Sequence, residues 1–175
     1  SEATSQVNVT DFDRLPIPFA AIATDLENGE TVVMRDGNLA SAMRASLSIP
    51  GIFEPWEMNG RLLIDGGIKA NLPVIEAKKI FPGHPIVAVN LSPKELRKDK
   101  AELRSVLEVA AQTLEILMRQ QVIDNMKEAD LVLSPNVSEF GVLDGDGYDE
   151  IIDRGRAAAQ AHVSELHSLI DRHRM

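Results

Sequence analysis

Apolar residues along the chain alternate between short continuous runs and stretches of helical period, and the order of the two kinds sets the expected fold. Ile17-Pro18-Phe19-Ala20-Ala21-Ile22-Ala23 is nearly unbroken and is closed by Thr24-Asp25. Such a run fits a strand buried on both faces better than an alternating, half-exposed one. Asn28-Gly29 makes a turn, Thr31-Val32-Val33-Met34-Arg35 a second strand ended by Asp36-Gly37, and the two read as a hairpin. Over residues 39–49, Leu39, Met43, Ser46 and Leu47 recur at helical spacing with small Ala40, Ala42 and Ala45 between them. Pro50-Gly51 stops this helix, since the residue before a proline is driven out of helical conformation. Phe53-Glu54-Pro55-Trp56 reads as irregular chain whose aromatics line the core.

Leu62-Leu63-Ile64 is a short strand with Asp65 at its end, followed by Gly66-Gly67. A strand end before two glycines presents a carboxylate from rigid structure with open space beside it. The pattern predicts Asp65 facing a cleft, without a cationic partner; a surface turn is the other reading, because Asp-Gly is also a hairpin signal. Residues 72–80 predict a helix with Pro73 in its first turn. Residues 85–91 predict another central strand, 101–129 a long covering helix, 130–135 a last short strand, and 148–172 a closing amphipathic helix in which Gly155 interrupts the composition. Strand, helix, strand is the βαβ pattern, so the expected class is α/β, a mainly parallel sheet covered by helices. Without repeats or a linker, residues 12–175 read as one domain, and the polar residues 1–11 as a disordered or linker segment.

Composition narrows the function. The 175 residues carry 18 Lys+Arg against 27 Asp+Glu, a net charge of −9. No basic stretch is interleaved with aromatics, so neither nucleic acid nor an anionic lipid surface is an expected partner. No apolar run reaches the roughly 20 residues of a spanning helix, and the chain is expected to be soluble, cytoplasmic or peripheral to a membrane. Without cysteine there is no thiolate metal site and no cysteine nucleophile. Ser1 stands where a start methionine would, the opening shows no targeting helix, and an upstream segment is expected to be missing.

The remaining chemistry-bearing residues are few. His162 and His167 are five residues apart, about 140° around a helix, so they do not make a metal-ligand pair and read as surface residues. His84, in Pro82-Gly83-His84-Pro85, reads as a loop residue, with a general base as the alternative. Asp144-Gly145-Asp146-Gly147-Tyr148-Asp149-Glu150 invites a calcium reading but fails the EF-hand spacing. It reads instead as a solvated acidic loop capping the last helix. No cofactor and no metal are expected. Ser46 and Ser48 lack small residues two positions on either side, so neither is a nucleophile elbow, and no G-x-S-x-G occurs.

Phe19-Ala20-Ala21-Ile22-Ala23-Thr24-Asp25-Leu26, then Ala45-Ser46-Leu47-Ser48-Ile49-Pro50-Gly51-Ile52-Phe53-Glu54-Pro55, then Asp65-Gly66-Gly67 with Asn71-Leu72-Pro73, together resemble the second half of a bacterial patatin-like phospholipase. The resemblance covers roughly residues 12–135. It implies part of a three-layer α/β sandwich and a Ser-Asp dyad that works without histidine. By residue match Asp65 is the dyad base and Gly66 and Gly67 its motif turn. The family's nucleophilic serine and glycine-rich oxyanion loop lie upstream of the matched blocks and are absent here. The implied parent is therefore a lipid acyl-ester hydrolase of phospholipase or lysophospholipase type. Its partners are the acyl-ester substrate and the missing N-terminal half of the domain. The chain alone is expected to be inactive and, as a cut sheet, to self-associate as a homodimer. The alternative is a noncatalytic remnant or interaction module in which Asp65-Gly66-Gly67 is only structural.

Overall fold

Two tight turns in left-handed backbone build the first sheet. The computed structural model describes residues 9–92, 103–141 and 147–173, which fall into two units that divide between Asn71 and Leu72. In the first, β1 (Ala21–Asp25) and β2 (Thr31–Met34) are joined by a turn with Gly29 at φ 72°. That turn is held by the Asp25 carboxylate, which accepts the Glu27 N–H at 3.0 Å, and by the Asn28 side chain, which accepts the Glu30 N–H at 2.9 Å. Between β3 (Trp56–Met58) and β4 (Arg61–Asp65), Asn59 and Gly60 take φ 53° and 73°. Positive φ at both central residues is what a two-residue hairpin turn of type I′ requires. The sheet order is β2-β1-β4-β3, antiparallel throughout, with Ala23 opposite Asp65 and Asp25 opposite Leu63.

Residues opposite one another share a face. Ala21, Ala23, Met34 and Leu63 form one buried face, closed by Ala42 and Ala45 of α1 (Leu39–Ser46) and by Phe12 in a 3-10 turn over Phe12–Arg14. Alanines on both sides let the helix lie close to the sheet. α1 begins at Asn38, whose side chain accepts the Ser41 N–H at 2.9 Å. After β4 the chain passes into one helical turn, α2 (Gly67–Ala70).

The second unit holds α3 (Val74–Ile80), β5 (Val87–Val89), α4 (Val106–Glu128), β6 (Leu131–Leu133), α5 (Tyr148–Ala161) and α6 (Val163–His173). β5 and β6 pair in parallel, and α4 lies in the long crossover that parallel strands require. A capping box starts α4: Glu108 N–H donates to Ser105 Oγ and the Ser105 N–H donates to the Glu108 carboxylate. Leu72, Val74, Ala88 and Val122 form the core here, with Ile86, Met126 and Val132 against it.

The expected α/β class is what forms, and its parallel pairing is confined to β5 and β6. Short turns between β1 and β2 and between β3 and β4 permit only antiparallel neighbours. The first strand begins later than predicted: Ile17 is 82% exposed and residues 17–20 precede β1, because Pro16 and Pro18 have no N–H for a ladder. Trp56 lies in a strand instead of irregular chain and packs against the core, whereas Phe53 is exposed. The 85–91 run supplies only Val87–Val89 to a strand. The closing helix is two helices, and the break falls at His162 rather than at Gly155, which lies inside α5. Gly147, at φ 86° and with no side-chain cap, precedes α5 where the acidic loop was expected to cap it; residues 142–146 of that loop lie outside the described residues.

Candidate active site

Asp65 ends β4, as the run before the two glycines predicts, and the glycines make a strand-to-helix turn rather than a hairpin. Gly66 has ordinary helical angles, φ −66° and ψ −21°, so its glycine is explained by space, not by conformation. A Cβ there would stand 2.4 Å from the Ile22 carbonyl oxygen of β1. At Gly67 a Cβ would stand 2.8 Å from Asp65 Oδ1 and 3.0 Å from Asn71 Oδ1. The first glycine lets the turn lie on β1; the second leaves room for the carboxylate.

The Asp65 backbone N–H donates to the Ser48 carbonyl at 3.0 Å, and Asp65 Oδ1 accepts the Gly67 N–H at 2.6 Å. The carboxyl group is half-buried, and among the described residues no lysine, arginine or histidine forms an ion pair with it. Burial raises its pKa above the ordinary 3.8, and the Gly67 N–H opposes this less strongly. A cavity of about 420 Å³ lies elsewhere, lined by Val32, Met34, Met58, Arg61 and Leu63 among others. Its lining takes in Arg61 and Leu63 of β4 but not Asp65, so it is not the cleft expected beside Asp65.

Both candidate serines are committed to the fold. Ser46 Oγ donates to the Ile22 carbonyl at 2.7 Å. Ser48 is fully buried; its Oγ donates to the Arg44 carbonyl at 2.8 Å and accepts from Arg44 Nη1 at 2.6 Å. Arg44 was not singled out by the sequence, and no spacing rule would have found it: its partners Ser48, Phe53, Glu54 and Trp56 lie in irregular chain and a neighbouring strand. The Asn59-Gly60 turn that sets the start of β4 against the end of β3 did carry a readable hairpin signal.

His84, His167 and His173 are exposed, and His162 is half-buried with Nδ1 2.9 Å from the Ala158 carbonyl. The described residues contain no group of three His, Asp or Glu able to hold a metal ion. No helix among them is long and apolar enough to cross a membrane.

Asp65 is thus a half-buried acid at a strand-to-helix turn in a mixed α/β chain. Residues 3–78 match the family model of the patatin-like phospholipases. An uncharacterized NTE family protein of Mycobacterium tuberculosis is 52% identical over 62 residues, 35% of this chain and 17% of the relative. A second one from the same organism is 25% identical over 180 residues, 90% of this chain and 31% of the relative. The lysophospholipase NTE1 of Cryptococcus neoformans is 38% identical over 58 residues, 33% of this chain and 4% of that protein. Over residues 3–78 the chain is thus similar to a patatin-like phospholipase domain, and its relatives include NTE family proteins and a lysophospholipase. The chain spans less than a third of the length of these two mycobacterial relatives.

Proposed function

We propose that the chain supplies the acidic half of a Ser-Asp dyad in a serine carboxylic-ester hydrolase acting on phospholipid or lysophospholipid, with Asp65 as the base. The observation that carries this reading is the Asp65 carboxylate itself, half-buried at a strand end and held by an amide instead of a cation. A cation beside a carboxylate stabilises its charge and weakens it as a proton acceptor; burial does the reverse. With one oxygen fixed by the Gly67 N–H, the other is the acceptor for a serine hydroxyl. The serine oxygen attacks the ester carbonyl as its proton passes to Asp65, the proton then goes to the departing alcohol, and an acyl-serine remains. Water attacks that ester with the same carboxylate accepting its proton, which releases the fatty acid and restores the serine.

The attacking serine belongs to a G-x-S-x-G segment that this chain lacks, and so do the oxyanion donors. The segment that carries them is the partner proposed for this chain. Ser46 and Ser48 are no substitutes, since each hydroxyl is bonded to a backbone carbonyl. Descriptions of the relatives as phospholipase and lysophospholipase support the substrate class.

The test compares two proteins on a lysophospholipid and a short-chain chromogenic ester. In a longer form that includes the G-x-S-x-G segment, Asp65→Asn is expected to lower turnover by about 10²–10⁴-fold, the usual contribution of a positioned base. The 175-residue chain alone is expected to show no turnover above buffer. Undiminished activity of the Asp65→Asn enzyme overturns the assignment and favours the structural reading of the turn.

A further inference from the structure

Between α1 and β3 the chain runs through residues 47–55: at its start the Ser48 N–H donates to the Ala45 carbonyl at 3.1 Å and the Ile49 N–H to the Leu47 carbonyl at 2.9 Å, and further on the Ile52 and Phe53 N–H groups donate to the Ile49 carbonyl at 3.0 and 2.9 Å. The last two bonds hold the middle of the connection; its two ends are bridged by one side chain. Arg44 Nη1 donates to Ser48 Oγ at 2.6 Å, at the start, and Nη2 donates to the Glu54 carbonyl at 3.2 Å, at the end. The same guanidinium lies 5.2 Å from the Phe53 ring centroid and 5.3 Å from that of Trp56. Among the described residues no carboxylate pairs with Arg44. An arginine that uses its planar fork on a hydroxyl, a carbonyl and two rings is fixing a loop, and a lysine has neither the fork nor the plane to do it.

The loop end so fixed is the one that touches Asp65. Ser48 is fully buried, and its carbonyl accepts the Asp65 N–H. We propose that Arg44 is a positioning residue for Asp65, holding the Ser48 carbonyl, and through it the end of β4, where the carboxylate is presented. This rests on the reading of Asp65 as a catalytic base, but it is tested without activity.

Amide exchange and a carboxyl titration followed by NMR of the 175-residue chain decide it. In Arg44→Met the Asp65 amide is expected to exchange about tenfold faster or more, since the bond it makes loses its fixed acceptor. The Leu26 amide, bonded to the Leu62 carbonyl at the far end of the same strand pair, serves as the control and keeps its rate. The Asp65 carboxyl signal is expected to titrate at lower pH than in the parent, because a loosened loop lets water reach the group. The sign is diagnostic: were Arg44 acting only as a nearby positive charge, its removal would raise that midpoint. Ser48→Ala, which removes the Arg44 Nη1 bond and also the Ser48 Oγ–Arg44 carbonyl bond while leaving the Ser48 carbonyl, is expected to move both readings the same way, and it stands in should Arg44→Met not fold. Equal acceleration of the Asp65 and Leu26 amides, or an Asp65 titration that stays or rises, overturns the proposal. A kcat that survives Asp65→Asn in the longer enzyme overturns the assignment of the base instead, and leaves the exchange result standing.

Discussion

At Asp65, burial and an amide act on one carboxyl group in opposite directions, and burial wins. The folded state therefore binds the proton more tightly than the unfolded chain. The stability this contributes is complete below the ordinary pKa of 3.8 and is lost as pH rises through the raised folded value; beyond it the ionised group is a cost. Partial exposure keeps that cost small. The amide side chain introduced by Asp65→Asn carries no charge at any pH, so that variant is expected to melt with the parent in acid. It should melt progressively above the parent as pH rises through this window, with a constant gap from there to neutrality. Paired thermal melts across that range measure it. A variant that melts below the parent at neutral pH would mean that a cation stabilises the carboxylate, and the proposed base would lose its basis. An acid perturbed in this way is a candidate for a functional site.

Among the elements, what was local in the sequence was legible and what was distant was not. The strand before Asp65, the hairpin at Asn28-Gly29, α1 and the strands around Val87–Val89 and Leu131–Leu133 follow from short-range patterns. β3 was missed because Trp56–Met58 is brief and interrupted by Glu57, although Asn59-Gly60 beside it marked the turn. Start positions failed at Pro18 for want of an N–H, and the break at His162 went to a place without glycine. At the site, Asp65 and its two glycines could be read, while Ser48 and Arg44 could not, since their roles depend on a loop folding back on β4. Two glycines separate the local cause from the tertiary one. Gly155 lies inside α5 with nothing within 4 Å of an added Cβ, so Gly155→Ala gains about 0.5–1 kcal/mol of helix propensity. Gly66 has equally ordinary angles, but its added Cβ would meet the backbone of Ile22, which cannot turn away. Gly66→Ala is expected to destabilise by about 1–3 kcal/mol or more, as overpacking does. Denaturant midpoints of the two variants should move in opposite directions. A Gly66→Ala midpoint equal to that of the parent would show that the turn does not need to lie on β1.

For the whole molecule, the open question of chemistry becomes one of surface. Ala88 of β5 packs into the second core with α3 and α4, while Val87, Val89 and Leu91 point the other way and are 39%, 51% and 59% exposed. Parallel strands in α/β proteins are covered on both faces, and this pair has one covered face and two outer edges without a described neighbour. Unpaired edges and a bare apolar face each favour association with another chain. A second copy of the chain offers such a partner, and a self-complementary contact closes as a twofold dimer. The 175-residue chain is therefore expected to self-associate, and Val89→Lys, which places a charge on the exposed face, to weaken that association without unfolding β5. Sedimentation equilibrium over an about hundredfold concentration range, where mass action shifts any dimer, is the measurement. A rising weight-average mass that Val89→Lys suppresses supports this surface as the contact. A 19.2 kDa species at every concentration, with binding of a hydrophobic dye no greater than that of an ordinary globular protein, would show that the face is not sticky and that the chain does not depend on a partner to cover it.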